Sequence, residues 1–197
     1  MEDNSLELRR QTFHMGLGML FVLLISLGFD WRFFLALIIV GAILSYVSAR
    51  RKIPVIAWFL EKFERKNSWP GKGALFFAIG TFLALVLFPR DIALASILIL
   101  TFGDSLAHLF GRFFGKVKHP LNTYKMIEGT IIGFLAGGIA AAVFVPWQQA
   151  MAASAVAMFV EGIDLRFRRN AVDDNIVVPL VAGVVIWLFR SFINVPV

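Results

Sequence analysis

Cysteine is absent from this sequence, and charged residues are scarce. Without cysteine the chain has no disulfide, no thiolate metal site and no cysteine nucleophile. Only 16% of its 197 residues are charged and 59% are hydrophobic, whereas a soluble domain of this length needs far more charge to coat its surface. The composition therefore predicts that lipid surrounds most of the chain.

Several catalytic motifs are also missing. The sequence has no HExxH, GxSxG or GxGxxG pattern, which argues against a zinc hydrolase, a serine hydrolase and a Rossmann domain. The Gly71-Lys72-Gly73 triplet could hold a phosphate, but it lacks the spacing of a Walker A loop. Lys72 is therefore a candidate phosphate ligand outside any P-loop.

Seven apolar runs occupy most of the sequence, although several are shorter than the roughly 20 residues that a perpendicular crossing needs. They cover residues 14–29, 33–48, 74–88, 92–110, 130–145, 150–160 and 176–193, and the run at 150–160 is the weakest. We predict an all-α integral membrane protein, a single polytopic domain over residues 1–197 with about seven short transmembrane helices.

The basic residues support this count and set the orientation. If the N-terminus is inside, the inner segments are 1–13, 49–73, 111–129 and 161–175, and they contain all but three of the 19 basic residues. The exceptions are Arg32, Arg90 and Arg190. Because positive loops resist translocation, we predict a multi-pass protein of the cell membrane or an endomembrane, with its active site on the cytoplasmic face. The same asymmetry explains the net charge of +6, so no nucleic-acid partner is expected.

Two patterns concern packing rather than chemistry. Ile56, Phe59, Leu60 and Phe63 recur at helical spacing opposite charged residues, which predicts an amphipathic helix in the cytoplasmic interface before the break at 67–73. Glycine recurs every four residues at 129, 133 and 137, which predicts that a neighbouring helix approaches closely there.

Asp104 is the most informative residue, because it lies within the apolar run 92–110. A carboxylate inside a membrane span is costly unless it faces a polar cavity or a cation. His108 follows one helical turn later on the same face. The pair either belongs to a catalytic or metal site or forms a helix-stabilising hydrogen bond, and the cost of the acid favours the first explanation.

Glycines and basic residues follow this acid. Gly111 and Gly115 would let backbone amides approach an anion, and Arg112 and Lys116 would supply charge to phosphate oxygens. Taken alone, these residues also fit a positive-inside signal with glycines for packing.

Four acidic or amide residues and one lysine extend the set of candidates. The run at 130–145 is preceded by Lys125 and Glu128, and the N-terminus of a helix there would favour anions. Lys125 is suited to bind a phosphate, and Glu128 is suited to cap the helix or to bind a metal. Asp173, Asp174 and Asn175 precede the last run and suit magnesium, although capping of the next helix would need only one of them.

Glu161 and His14 are weaker candidates. Glu161 ends the sixth run, where a snorkelling acid explains it equally well, and His14 lies at the inner end of the first run as a lone histidine. Together, the carboxylates and basic residues nevertheless gather on one face of the bilayer. Carboxylates can bind magnesium there and bases can bind a polyphosphate, beside the lipid headgroups.

Five short motifs follow one another along most of the chain. They are Glu7-Leu8-Arg9-Arg10 with His14 and Gly16, Pro70-Gly71-Lys72-Gly73, Gly103-Asp104 with Ala107, Gly111 and Gly115, Lys125 with Glu128-Gly129, and Asp174-Asn175 with Pro179. With this ordered set the sequence resembles the CTP-dependent lipid kinases, which include dolichol kinase, phytol kinase and the CTP-using diacylglycerol kinase of fungi.

The resemblance implies transfer of the terminal phosphate of CTP to the hydroxyl of a membrane lipid alcohol such as dolichol, another polyprenol or diacylglycerol. By position, the residues that match functional residues of the family are Arg9, Arg10, Asp104, Gly111, Gly115, Lys125 and Asp174. The sequence departs from the family at Met126, where a serine is common, and in having Arg9-Arg10 in place of Arg-Lys.

The corresponding mechanism is a hypothesis. Asp104 and Asp174 would hold magnesium or another divalent cation on the triphosphate. Arg112, Lys116 and Lys125 would neutralise its oxygens, and Glu128 or an aspartate not bound to the metal would accept the proton of the lipid hydroxyl.

Two other functions are alternatives. A CTP:phosphatidate cytidylyltransferase shares the motifs around Asp104 and Lys125, but the stretch at 162–175 fits its late signature poorly. A small ion or lipid transporter would use Asp104 as a mid-membrane ion site, yet the candidate acids lie near one face and the chain has no internal repeat.

Overall fold

The computed structural model of the chain describes residues 4–51, 53–63, 69–163, 166–167, 170–171 and 173–193. Nine α-helical segments and one π-helical segment account for nearly all of these residues. They are α1 (Asn4–Ser26), α2 (Trp31–Arg50), α3 (Pro54–Phe63), α4 (Lys72–Leu87), α5 (Arg90–Leu98), the π-helical segment (Ile99–Asp104), α6 (Ser105–Phe114), α7 (Ile127–Ala141), α8 (Trp147–Gly162) and α9 (Asp174–Ile193).

Two small antiparallel strand pairs are a departure from the predicted all-α fold. Strand β1 (Lys118–His119) pairs with β2 (Asn122–Met126), and β3 (Arg166–Phe167) pairs with β4 (Asn170–Ala171). Each pair lies in a loop that reverses the chain between two packed helices, where strand pairing satisfies backbone groups that no helix can satisfy. Strand β2 leads directly into α7, so Lys125 is held immediately before a helix.

The helix at the centre of the fold consists of three consecutive segments. Segment α5 continues through the π-helical segment into α6, and together they form one helix of 25 residues, Arg90–Phe114. Most of its apolar side chains are buried, and it contacts α1, α7, α8 and α9. This helix brings Asp104 into the interior of the protein.

Many large apolar side chains face outward, and several polar side chains are buried. Large exposed apolar residues include Leu23, Ile39, Ile43, Ile139 and Val143. Buried polar residues include Gln11, Thr81, Ser96, Gln149 and Ser154. Among the described residues, three helices are long and apolar enough to cross a membrane, Trp31–Arg50, Arg90–Phe114 and Asp174–Phe192, and the shorter helices Lys72–Leu87 and Ile127–Ala141 are also apolar. This distribution is that of a protein surrounded by lipid.

The predicted helical fold is confirmed in its main features. A helix covers each of the seven apolar runs, including the weakest, which forms α8. The predicted amphipathic segment forms α3, whereas the charged residues 64–66 lie outside the described residues. Seven crossings, an inner N-terminus and the interfacial position of α3 stay predictions.

The glycines of α7 lie against the central helix. A Cβ atom added at Gly133 would lie 2.6 Å from the carbonyl oxygen of Gly103 and 2.8 Å from the Cβ atom of Ala107. One added at Gly129 would lie 2.9 Å from the Cα atom of Gly111. The absence of side chains on this face therefore permits the backbones of α6 and α7 to approach closely.

Gly133→Ala should destabilise the protein, because the added methyl group overpacks this contact at a cost of about 1–3 kcal/mol. Gly16→Ala is the matched control, since a Cβ atom at this helical position meets nothing within 4 Å. The control should be neutral or stabilising by up to about 1 kcal/mol. Thermal unfolding in detergent compares the two variants, and equal midpoints would contradict the close packing of α7.

Candidate active site

Three carboxylates and one histidine meet beside the C-terminal half of the central helix. Asp104, His108, Glu161 and Asp174 each offer one ligand atom, and these four atoms all lie within 4.8 Å of one another. The Nε2 atom of His108 is 3.4 Å from Asp104 Oδ1 and 3.7 Å from Glu161 Oε1. Asp104 ends the π-helical segment, His108 lies one turn later, Glu161 lies near the end of α8 and Asp174 begins α9. Residues distant in the sequence thus form one compact group, the acidic cluster.

Asp104 is held in an unusual backbone setting. π-helical turns inside α-helices are frequent at functional sites, and this one ends at the buried acid. The Oδ1 atom of Asp104 is buried, and its contact with His108 Nε2 at 3.4 Å is too long for a good hydrogen bond. Such an atom is expected where a ligand supplies the missing contact.

Lys125 lies against two members of the acidic cluster. Its Nζ atom contacts the carboxylate of Glu161, donates to the carbonyl oxygen of Glu161 at 2.5 Å and lies 3.2 Å from Asp174 Oδ2. Burial lowers the pKa of Lys125, but the charges of Glu161, Asp174 and Asp104 outweigh it and raise the pKa above its ordinary value. Lys125 is therefore a half-buried cation at the cluster.

The three polar residues at the start of α9 have different partners. Asp174 points to the acidic cluster. Asp173 Oδ1 accepts from the backbone amide of Asn175 at 3.2 Å and from its side chain at 2.8 Å, and Asp173 Oδ2 lies 3.3 Å from Lys72 Nζ. Asn175 Oδ1 lies 3.1 Å from His14 Nε2. Asp173 therefore caps α9, and with Asn175 it connects this helix to α4 and α1.

A second polar group joins α1 to α6. The buried carboxylate of Glu7 accepts from Arg10 Nη2 at 2.7 Å and from Gln11 Nε2 at 2.8 Å, and it lies 4.0 Å from Arg112 Nη1. Arg112 also donates through Nε to Asn4 Oδ1 at 2.9 Å. Burial raises the pKa of Glu7, but the hydrogen bond and charge of Arg10 outweigh it and lower the pKa to about 2. Glu7 begins the first of the five motifs but was not predicted as a site residue, because an acid three residues before an arginine is usual on an exposed helix.

Glu128 and Lys116 lie apart from the acidic cluster, at the loop after α6. The Glu128 carboxylate accepts from the backbone amides of Lys116 at 3.0 Å and Val117 at 3.1 Å. Hydrogen bonds from its own amide and from that of Lys116 lower the pKa of Glu128. The side chain of Lys116 is exposed.

The remaining candidates are two glycines and an arginine. Gly111 packs against Gly129 and Met126, and a side chain at Gly115 would collide with Met126, so both glycines face protein atoms. Arg9 is half-buried on α1 beside Arg10, and its Nε atom has no hydrogen-bond partner among the described residues. Phosphate binding by these residues stays a prediction.

Related proteins identify the family. An uncharacterised protein of Methanocaldococcus jannaschii is 30% identical to the chain over 187 residues, which are 91% of this chain and 92% of that protein. CTP-dependent diacylglycerol kinase 1 of Schizosaccharomyces pombe is 25% identical over 210 residues, covering 92% of this chain and 93% of that kinase. The chloroplastic phytol kinase 1 of Arabidopsis thaliana is 32% identical over 126 residues, which are 55% of this chain and 40% of that kinase. The chain belongs to the CTP-dependent lipid kinase family.

The family that the five motifs predict is thus confirmed. No family model matches the chain, and no solved structure matches it. The three motifs that contain Asp104, Lys125 and Asp174 meet in space, and the motif that contains Glu7 and Arg10 lies beside the C-terminal end of α6.

Proposed function

We propose that the protein transfers the γ-phosphate of CTP to the hydroxyl of a membrane lipid alcohol, with diacylglycerol and a polyprenol such as dolichol as the candidate acceptors. The observation that carries the proposal is the convergence with Lys125 of three carboxylates, which come from the central helix, the end of α8 and the start of α9. Phosphoryl transfer needs positioned charge rather than a protein nucleophile, and this cluster has charge without a nucleophile. The basic inner segments support a cytoplasmic position for the cluster.

The acidic cluster fits a divalent cation. Asp104 has a buried oxygen without a hydrogen-bond partner among the described residues, and Glu161 brings a second buried carboxylate. Magnesium takes one or two carboxylates together with substrate phosphates, so Asp104 and Glu161 would hold it, with Asp174 within reach. Bound there, the ion would neutralise charge on the phosphate oxygens. His108 contacts both carboxylates and would fix their orientation.

Basic side chains would bind the triphosphate. Lys125 is adjacent to the cluster, and Arg112 lies two turns after Asp104 on the same helix. These two cations are best placed for the transferred phosphate, whereas Arg9, Arg10, Lys72 and Lys116 would contact the rest of the nucleotide. Their charge would stabilise the phosphoryl group as its bond to the leaving CDP breaks and its bond to the lipid oxygen forms.

Asp174 is the best candidate to accept the proton of the lipid hydroxyl. Its side chain is 37% exposed, against 9% for Asp104 and 2% for Glu161, so an incoming hydroxyl can reach it. Glu128 is less suitable, because its carboxylate is engaged by the backbone amides of the loop after α6. The lipid oxygen would then attack the γ-phosphorus as its proton moves to Asp174.

CTP labelled at either the α or the γ phosphate tests this function. Purified protein in lipid should transfer γ label to diacylglycerol or dolichol in the presence of magnesium, and EDTA should abolish the transfer. Entry of α label into lipid would instead indicate a cytidylyltransferase. No transfer of either label to any lipid alcohol would refute the kinase proposal and leave a transporter.

A further inference from the structure

The carboxylate of Glu7 is buried outside the acidic cluster. Its side chain is 5% exposed, and its partners Arg10, Gln11 and Arg112 come from two helices. Burying a carboxylate is costly, and a buried ion pair usually contributes no more stability than apolar residues of the same volume. The burial of the Glu7 carboxylate therefore indicates a role other than stabilising the fold.

The position of Arg112 connects this group to the acidic cluster. Asp104, His108 and Arg112 are spaced by four residues in the central helix, so they follow one face from the cluster toward the inner end. Glu7 lies 4.0 Å from Arg112 on one side, and Asn4 accepts from Arg112 Nε at 2.9 Å. The guanidinium group of Arg112 is thus held from α1 at two points.

We propose that Glu7 is a positioning residue that orients the guanidinium groups of Arg10 and Arg112 toward the polyphosphate of the nucleotide. The inference rests on the proposed kinase function. Glu7 is buried, whereas Arg10 and Arg112 are partly exposed, so the arginines and not the acid meet a ligand. A guanidinium group has five N–H donors in a fixed plane, so one that contacts Glu7 can also contact a phosphate oxygen. Fixing that plane in advance reduces the entropy that the arginine loses when it binds.

The test is the variant Glu7→Gln, which keeps the size of the side chain and an oxygen that can accept from Arg10 and Gln11 but removes the charge. We expect the KM for CTP to rise about tenfold. The kcat and the KM for the lipid alcohol should change less than about twofold, because the acidic cluster is intact. A purely structural role would lower the thermal midpoint and change both KM values together.

Asp91→Asn is the matched control. Asp91 Oδ2 pairs with Arg190 Nη2 at 2.5 Å, and this pair also joins two helices, but it lies at the opposite end of the central helix. Loss of the Asp91–Arg190 pair should leave the KM for CTP within about twofold of the wild-type value. Combining Glu7→Gln with Arg112→Gln should raise the KM no further than about twofold above Arg112→Gln alone, since a positioning residue acts through its partner.

The outcomes separate the two proposals. A wild-type protein that transfers no γ label refutes the kinase function and this inference with it. An active protein whose KM for CTP is unchanged by Glu7→Gln, or whose double variant shows independent effects, refutes the inference alone. If Glu7→Gln does not fold, CTP binding by Arg112→Lys decides: we expect binding about fivefold weaker or more, and unchanged binding would overturn the inference.

Discussion

Asp104→Asn should abolish transfer of the γ-phosphate to lipid, with a loss of about a thousandfold or more in kcat. Asparagine has the same volume as aspartate, so the packing of the central helix should survive. The variant loses the negative charge at a buried oxygen that no described residue satisfies by a hydrogen bond. The cluster would then hold a divalent cation more weakly, and the triphosphate would lose part of its charge neutralisation.

Labelled CTP measures this loss, and thermal unfolding verifies that the variant is folded. Asp91→Asn makes the same chemical change at the other end of the central helix, outside the acidic cluster, and should keep wild-type turnover. An Asp104→Asn protein that retains most of its activity would remove Asp104 from the catalytic site. Transfer would then need a different set of acids.

Lys125→Met should destabilise the protein in the absence of divalent ions by about 3–5 kcal/mol. The substitution leaves the carboxylates of Glu161 and Asp174 without the cation that now contacts both. Magnesium bound at the cluster would compensate for the missing charge. The increase in the thermal midpoint on adding magnesium should therefore be larger for this variant than for the wild type, although the variant should transfer phosphate poorly.

Lys118→Met is the matched control for that experiment. Lys118 is exposed on β1, so its loss changes the net charge equally but removes no cation from the cluster. Unfolding followed by tryptophan fluorescence, with EDTA and with magnesium, compares the three proteins. Equal responses of Lys125→Met and Lys118→Met to magnesium would contradict competition between Lys125 and a cation for the same carboxylates.

The helices were predictable from the sequence because lipid leaves an apolar segment few alternatives. Backbone groups in hydrocarbon must hydrogen-bond to each other. An apolar run therefore forms a helix even where it is short, as the run that becomes α8 illustrates. That Asp104 has polar neighbours was predictable for a related reason, since an acid in such a run is costly unless it faces polar groups or a cation. Both arguments use only residues that are neighbours in the sequence.

The composition of the acidic cluster depends on contacts between distant residues, and the sequence could not rank its members. Glu161 has the same local pattern as any acid at a helix end, yet it joins Asp104 from another helix. Glu128 has a pattern that suits a metal, but the loop after α6 brings two backbone amides to it. Arg112, one of the partners of Glu7, comes from α6, more than a hundred residues away. The π-helical segment also has no sequence signature that separates it from an ordinary turn.

That π-helical segment has a consequence for how the chain can vary. Each residue of an α-helix turns the chain by about 100°, so one residue more or less rotates everything beyond it by that angle. A residue added between Asp104 and His108, in regular α-helix, would therefore swing His108 and Arg112 away from the acidic cluster. A π-helical turn holds one residue more than an α-helical turn, so Ile99–Asp104 can lose a residue with little rotation of α6. The π-helical segment can thus absorb a change of length that the α-helix after it cannot. An insertion after Asp104 should abolish the proposed phosphate transfer while sparing insertion into the membrane.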